Sequence, residues 1–226
     1  MLLRLWRGAA ARLPRTLQFE LRRARYSRQI RSGTFASPER EARDIARYLR
    51  EGDWAVDVGA NIGHYTCRMG HCVGVSGRIL AFEPIPVSFA LLTANVRVAG
   101  LRNVTLFNIA LSSRAGLMRM TVPWYESSGL NNYYRAHVSA EGEYPVFCLP
   151  LDTIPIPSIV RLVKVDAEGH DLDVLIGMEA LLRRCRPVLI VESRPESAVA
   201  SWLMERGYAI AAAPDSSNIV ATPQKS

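Results

Sequence analysis

A glycine-rich turn follows the short apolar run Trp54–Val58. Residues 57–63 read Asp-Val-Gly-Ala-Asn-Ile-Gly. Glycine lets the chain turn sharply and lets a ligand approach the backbone, so the segment predicts a cofactor site. The third glycine of the G-x-G-x-x-G fingerprint, which brings a pyrophosphate to a helix N-terminus, is missing here. The spacing of Gly59 and Gly63 therefore favours a cofactor without a pyrophosphate over a nicotinamide dinucleotide.

An acid suited to binding a sugar ring follows the next apolar run. Glu83 stands directly after Arg78–Phe82, twenty residues beyond Gly63. A carboxylate there can accept hydrogen bonds from both hydroxyls of a ribose. A surface charge that merely ends a strand is the alternative for Glu83 taken alone. Together with the turn at 57–63, its position predicts a nucleoside ligand.

Proton-accepting side chains cluster after a third apolar run. Asp166, Glu168 and His170 are the candidate catalytic residues. Burying a carboxylate at the end of a strand costs solvation free energy unless the carboxylate binds a ligand or a charged partner. Two roles stay open, a base for a hydroxyl and a ligand for a divalent cation. For Glu168 and His170, a structural role at a helix start is a further alternative, and Glu192 is a secondary candidate for substrate or cation contact.

The strands and helices predicted to carry these residues alternate along the chain. The predicted strands are Trp54–Val58, Arg78–Phe82, Val104–Ala110, Leu162–Val165 and Val188–Glu192, with a closing hairpin of Tyr208–Ala213 and Asn218–Ala221. The predicted helices are Arg40–Arg50, Tyr65–Val75, Ser88–Ala99, Leu172–Arg184 and Glu196–Arg206. Strands that are almost wholly apolar and alternate with helices predict an α/β fold whose parallel sheet is covered on both faces.

Residues 112–150 interrupt this alternation. The stretch lacks strong periodicity and is rich in aromatic and amide side chains, including Trp124, Tyr125, Tyr133 and Tyr134. Such side chains stack on polar ligands and hydrogen-bond them, and loops of this length are often functional. The segment is our candidate substrate lid, and a solvated insertion is the alternative.

Positive charge is concentrated at the N-terminus. Residues 1–31 hold nine arginines against one acid, Glu20, a local charge of +8, whereas the whole chain carries +7. The near-neutral remainder argues against a broad nucleic-acid surface. Leu2, Trp6, Ala9, Leu13 and Leu17 fall on one side of a helical wheel, the pattern of an interfacial amphipathic helix. Residues 1–36 are therefore assigned to a basic arm and 37–226 to one domain. The arm either packs on that domain or has a membrane-surface or organelle-targeting role.

The expected location is cytoplasmic. No apolar run reaches the about 18 residues of a membrane span, and the arginines break the N-terminal apolar runs too often for a signal peptide. The four cysteines lack C-x-x-C spacing, so reduced thiols are expected.

Several motifs together resemble the FkbM family of S-adenosylmethionine-dependent methyltransferases. They are VDVGANIGHYT at 56–66, FEP at 82–84, NVTLFNIALS at 103–112, LDT at 151–153 and KVDAEGHD at 164–171. The resemblance covers roughly residues 53–193. It implies a Rossmann-like class I methyltransferase fold with a mostly parallel seven-stranded sheet, and methylation of a sugar or small-molecule hydroxyl.

The resemblance also implies roles for individual residues. It assigns Asp57, Gly59, Asn61 and Gly63 to the methionine part of S-adenosyl-L-methionine, Glu83 to the ribose and Ala110 to the surroundings of the adenine. Many relatives carry an acid where this chain has Ser113, which puts a contact of that side chain with the adenine amine in doubt. The sequence does not decide between a metal-dependent and a metal-independent enzyme. A membrane-associated binding protein on a degenerate methyltransferase fold is the alternative function.

Overall fold

The computed structural model describes residues 13–123 and 131–224. The helices are α1 (Arg15–Arg31), α2 (Arg40–Asp44), α3 (His64–Val73), α4 (Pro86–Val98), α5 (Asp171–Ile176), α6 (Glu179–Cys185) and α7 (Ala198–Met204). The strands are β1 (Trp54–Val58), β2 (Arg78–Phe82), β3 (Val104–Phe107), β4 (Ala110–Leu111), β5 (Gly116–Thr121), β6 (His137–Val138), β7 (Tyr144–Leu149), β8 (Val160–Val165), β9 (Val188–Glu192), β10 (Tyr208–Ala212) and β11 (Asn218–Pro223).

The main sheet is mostly parallel, as the sequence predicts. Within the described residues it contains seven strands in the order β10-β11-β9-β8-β1-β2-β3, and β11 runs antiparallel to both of its neighbours. After β3 the chain crosses back and adds β8 on the other side of β1. Open α/β sheets bind ligands at the carboxyl ends of the strands where the order reverses in this way. The topology therefore places the site at the ends of β1, β2 and β8.

Two hydrophobic cores flank this sheet. Side chains alternate along each strand, so Ala55 and Ile79 face a core shared with α2, α3 and α4. Val56 and Leu80 face the opposite core, which is packed by α5, α6 and α7. Burial on both faces explains why the strands are almost continuously apolar.

The segment predicted as an irregular loop contains a second sheet. Strands β4 to β7 associate in the order β4-β7-β5-β6. Met120 and Val146 lie on its buried side and pack against Ile85 and Ala110. The expectation of a stretch without regular structure was therefore wrong for much of 112–150. Trp124, Tyr125 and the neighbouring polar residues of the predicted lid lie outside the described residues.

The N-terminal helix α1 lies against the domain. It begins directly after Pro14 and packs along α4. Its side chains Phe19, Arg22, Tyr26 and Ile30 are half-buried on one side of the helix. The described part of the arm is thus a helix packed on the domain, which is one of the alternatives predicted from the sequence. Leu2, Trp6 and Ala9 of the predicted amphipathic helix lie outside the described residues.

Two helices differ from the predictions. The predicted helix 40–50 is α2 followed by a 3₁₀ turn, Ile45–Arg47. The predicted helix 172–184 is split into α5 and α6 near Gly177. A Cβ at Gly177 would lie 2.0 Å from the carbonyl oxygen of Ser112, so a close backbone contact accounts for the glycine there. Within the part of the chain that the structure describes, no helix is both long and apolar enough to cross a membrane.

Candidate active site

One cavity of about 410 Å³ opens at the carboxyl ends of β1, β2 and β8. Of the candidate residues, it brings together Asp57, Gly59, Asn61, Glu83, Ala110, Asp166, Glu168 and His170. The small sheet and the turn before β6 contribute one wall, formed by Met118, Met120, Tyr133, Tyr134, Ala136 and Val138. The volume falls in the range of small-molecule sites.

The turn after β1 needs its glycines for close packing. Gly59 has φ +72°, and a Cβ there would lie 1.8 Å from the carbonyl oxygen of Asp166. Asn61 also has a positive φ, 49°, a conformation that asparagine tolerates better than most residues. Gly63 is not among the residues that line the cavity. It precedes α3 with φ +94°, and a Cβ there would lie 2.6 Å from Cδ1 of Leu92.

The Glu83 carboxylate ties the turn to the end of β2. The backbone N–H of Asn61 donates to its Oε2 and that of Ile85 to its Oε1, each at 2.8 Å. Both oxygens keep further lone pairs that can accept from a ligand. Glu83 is buried, and burial raises its pKa to about 7, although the two N–H donors oppose the shift.

Asp57 lies beneath the turn and is fully enclosed. Burial raises its pKa to about 6. The hydroxyl of Thr66 donates to its Oδ2, and both that hydrogen bond and the charge of Lys164 lower the pKa. The carboxylate therefore supports the turn and adds negative charge to the cavity.

Ala110 and Ser113 occupy different surroundings. Ala110 is buried on β4 and lines the cavity. The Ser113 hydroxyl donates to Oδ1 of Asp173 at 2.7 Å, which engages it with α5, and Ser113 is not among the lining residues.

Three carboxylates meet at the ends of β8 and β9. One oxygen each of Asp166, Glu168 and Glu192 lies within 4.8 Å of the other two. Burial and the neighbouring charge of Asp166 raise the pKa of Glu168 to about 7. Burial and a hydrogen bond with Asp166 raise that of Glu192 to about 8. Carboxylate oxygens are ligands for Mg²⁺ or Ca²⁺, so these three are the described residues that could hold such an ion.

His170 is held at the start of α5. Its Nε2 lies 2.9 Å from the Ser112 hydroxyl and its Nδ1 lies 3.7 Å from Oδ2 of Asp173. The ring lines the cavity, yet both of its nitrogens already have neighbours in the protein. This arrangement is compatible with two roles for His170. The side chain is either positioned to exchange a proton with a ligand or purely structural.

Lys164 is a functional candidate that our sequence analysis missed. It lies on β8 with 1% exposure, and its Nζ is 3.3 Å from Oδ2 of Asp166. The Nζ also donates to the carbonyl of Val165 and to Oδ1 of Asn218, and it lies 5.2 Å from the ring centroid of Tyr65. A lysine within an otherwise apolar strand was the available signal, because such a charge is rarely buried unless it is paired.

Comparisons with known proteins identify the family that this chain resembles. Residues 57–210 match the sequence profile of the methyltransferase FkbM domain. The hexuronic acid methyltransferase AglP of Haloferax volcanii is 32% identical over 162 residues, 67% of this chain and 62% of that protein. The 31-O-demethyl-FK506 methyltransferase FkbM of Streptomyces tacrolimicus is 39% identical over 98 residues, 42% of this chain and 35% of that protein. This chain thus spans less than two thirds of either relative.

Solved structures support the fold. The methyltransferase FkbM of Methylobacillus flagellatus superimposes with a TM-score of 0.54 at 15% identity, covering 80% of this chain and 50% of that one. A SAM-dependent methyltransferase of Aquifex aeolicus gives 0.50 at 15% identity, covering 86% and 97%. The architecture is that of class I methyltransferases. Because the family profile spans most of the chain and includes both the glycine turn and the β8 acids, the protein belongs to the FkbM methyltransferase family.

Proposed function

We propose that the protein transfers a methyl group from S-adenosyl-L-methionine to a hydroxyl of a sugar or another small molecule. The observation that carries the proposal is one shared cavity at the switch point of the sheet. The turn at 57–63 and Glu83 form one part of it, and Asp166, Glu168 and His170 form another. A donor and an acceptor bound in the same cavity would be held close together, which is the main requirement of a bimolecular transfer.

The residues suit the proposed donor. The acids Glu39, Asp57, Glu83 and Asp166 line the cavity, and Lys164 is a basic residue in the lining. A surplus of carboxylates favours a ligand that carries a sulfonium and an ammonium group. Glu83 would hold the ribose, Gly59 and Asn61 the methionine part, and Ala110 the adenine surroundings. Gly63 would act through the geometry of the turn, since it is not among the residues that line the cavity.

The β8 acids would assist the acceptor. S-adenosyl-L-methionine supplies a methyl group bound to a positively charged sulfur, which an oxygen nucleophile can attack in line. An acceptor hydroxyl becomes a better nucleophile when a nearby base removes its proton. Glu168, with a pKa of about 7, can take up that proton near neutral pH. Asp166 and His170 are the other candidate bases, and Asp166, Glu168 and Glu192 could instead hold a divalent cation that lowers the pKa of the hydroxyl.

The acceptor class is proposed from the wall opposite the sheet. Tyr133 and Tyr134 face the cavity, and aromatic rings commonly stack on sugars. The name of the archaeal relative, a hexuronic acid methyltransferase, is in line with a sugar acceptor. We propose that residues 37–226 form the catalytic domain and that the small-sheet segment within 112–150 is its substrate cover.

Calorimetric titration tests the donor site without knowledge of the acceptor. S-adenosylmethionine and S-adenosylhomocysteine should both bind the wild type, and Glu83→Ala should weaken binding at least about tenfold, because hydrogen bonds to a charged group are strong. Glu196→Ala, which removes an exposed carboxylate, should bind like the wild type. Failure of the wild type to bind either compound would contradict the proposal and favour a binding protein on this fold.

We propose in addition that the basic arm contacts an anionic membrane surface. The specific observation is the outward side of α1. Leu17 and Leu21 are 44% and 51% exposed there, next to the exposed Arg25 and Arg28. Apolar side chains flanked by arginines are typical of helices that lie in the lipid headgroup region.

A further inference from the structure

The inward side of α1 contacts the wall of the cavity. The guanidinium carbon of Arg22 lies 4.9 Å from the centroid of the Tyr133 ring, within the range of a cation–π contact. Both side chains are half-buried, which strengthens such a contact compared with one in open solvent. Tyr133 is also one of the residues that line the cavity. A helix outside the residues that match the family profile thus touches the cover of the site.

Tyr133 in turn contacts the glycine turn. The side-chain Nδ2 of Asn61 donates to the carbonyl oxygen of Tyr133 at 3.3 Å. The backbone N–H of the same Asn61 donates to the Glu83 carboxylate. One residue of the turn therefore connects the cover to the proposed ribose-binding acid. A displacement of Tyr133 would remove a hydrogen bond from the residue that orients Glu83.

A second chain of ring contacts leads from α1 to the same turn. Tyr26 packs edge-on against Phe35 with ring centroids 5.9 Å apart, and Phe35 lies 4.4 Å from the ring of His64. His64 is the first residue of α3 and lines the cavity. The helix consequently braces both the cover and the turn.

We propose that Arg22 is a positioning residue. It holds Tyr133 against Asn61 and so keeps the cover in contact with the glycine turn at 57–63. The other arginines nearby on α1 lack this geometry. Arg23 pairs with Glu20 on the exposed side of the helix, and the guanidinium of Arg25 lies 6.0 Å from the ring of Tyr26 on the same helix. Only the part of the inference that concerns ligand affinity rests on the proposed function.

Hydrogen–deuterium exchange of the full-length, ligand-free protein tests the contact itself. Arg22→Ala should speed exchange in the peptides that cover 131–138 by about two- to fivefold, as expected from the loss of a cation–π contact. Arg22→Lys should restore part of the protection because it keeps the cation. Arg28→Ala is the matched control, since it removes an exposed arginine from the same helix. Equal effects of Arg22→Ala and Arg28→Ala would overturn the proposal.

A double-mutant cycle tests the consequence for the site. With S-adenosylhomocysteine as the probe, Arg22→Ala should weaken binding by about two- to fivefold in the wild-type background. In a Tyr133→Leu background, which removes the ring and keeps the backbone carbonyl, Arg22→Ala should have no further effect. An undiminished effect in that background would show that Arg22 acts elsewhere and would overturn the proposal.

The two readouts separate the possible failures. If the wild type does not bind S-adenosylhomocysteine, the proposed function fails, while the exchange experiment still decides whether Arg22 holds Tyr133. If Arg22→Ala does not fold, Tyr133→Leu should reproduce the faster exchange of 131–138 on its own. Unchanged exchange in Tyr133→Leu would then overturn the proposal.

Discussion

Gly59 is the residue at which the glycine turn after β1 meets the backbone of Asp166, directly after β8. A Cβ at this position would lie 1.8 Å from the carbonyl oxygen of Asp166, a distance that side-chain motion cannot relieve because the obstacle is backbone. The close approach brings the turn after β1 and the acids after β8 into one cavity. The absence of a side chain at Gly59 is therefore what allows these two segments to approach each other.

Gly59→Ala should therefore destabilise the protein far more than an ordinary glycine substitution. We expect a loss of more than about 4 kcal/mol in the free energy of unfolding, a size typical of severe steric conflict. Gly100→Ala is a matched control, because Gly100 has the same φ of +72° and no atom within 4 Å of the added Cβ. It should cost only about 1–2 kcal/mol, the strain of the left-handed conformation. Urea unfolding measures both, and equal losses would contradict the packing argument.

The helix α1 has two sides with different surroundings. Its inward side contacts α4 and the cover of the cavity, whereas its outward side exposes Leu17, Leu21 and several arginines. Sequence patterning alone suggested either packing on the domain or membrane contact. The structure allows both at once, because different sides of the helix would serve the two contacts.

Outward substitutions on α1 should weaken binding to anionic vesicles. The double variant Arg25→Gln/Arg28→Gln should lose about fivefold in affinity per arginine, and Leu17→Gln/Leu21→Gln should also reduce binding. Sedimentation with phosphatidylcholine vesicles that contain phosphatidylserine measures the affinity, and vesicles without it give the neutral reference. Arg194→Gln, an exposed arginine outside α1, is the control. Equal sedimentation of all variants would refute the membrane proposal.

At the scale of the whole molecule, the cavity concentrates carboxylates whose charge is unfavourable when buried. Burial raises the pKa of Glu83 to about 7 and that of Asp57 to about 6. The folded protein therefore holds protons that the unfolded chain has already released. A raised pKa adds stability below the ordinary value of the acid, and this stability is lost as the pH rises through the folded value.

The protein should accordingly become less stable between pH 6 and pH 8. We expect Glu83 alone to lower the free energy of unfolding by about 1–2 kcal/mol over this interval. The raised pKa values of Glu168 and Glu192 act in the same direction. Glu83→Gln, which keeps the size and removes the charge, should reduce this pH dependence by about 1 kcal/mol, and the exposed Glu196→Gln should leave it unchanged. Urea titrations at both pH values measure the difference. A wild type that becomes more stable towards pH 8 would contradict the raised pKa values of the buried acids.

Much of the site was predictable because its residues follow parallel strands directly. The positions of Glu83 and Asp166 after apolar runs were enough, since the carboxyl ends of parallel strands meet at one edge. The family membership was equally predictable from the sequence, because each family motif is a run of consecutive residues. The small sheet was missed since β4 and β6 have only two residues each, and β4 pairs with β7 across a long stretch of chain. Short strands carry little periodic signal, so their pairing partners determine whether they form.

Local sequence patterns were sufficient to predict the parallel α/β core, the glycine turn and the candidate acids at the ends of the strands. Each of these rests on local patterns of burial and backbone freedom that a few consecutive residues can encode. Only the folded arrangement shows that Lys164 is buried beside Asp166, that Gly63 is not among the residues lining the cavity, and that Arg22 contacts Tyr133. Such contacts join residues far apart in the chain, and their distances depend on how whole elements pack.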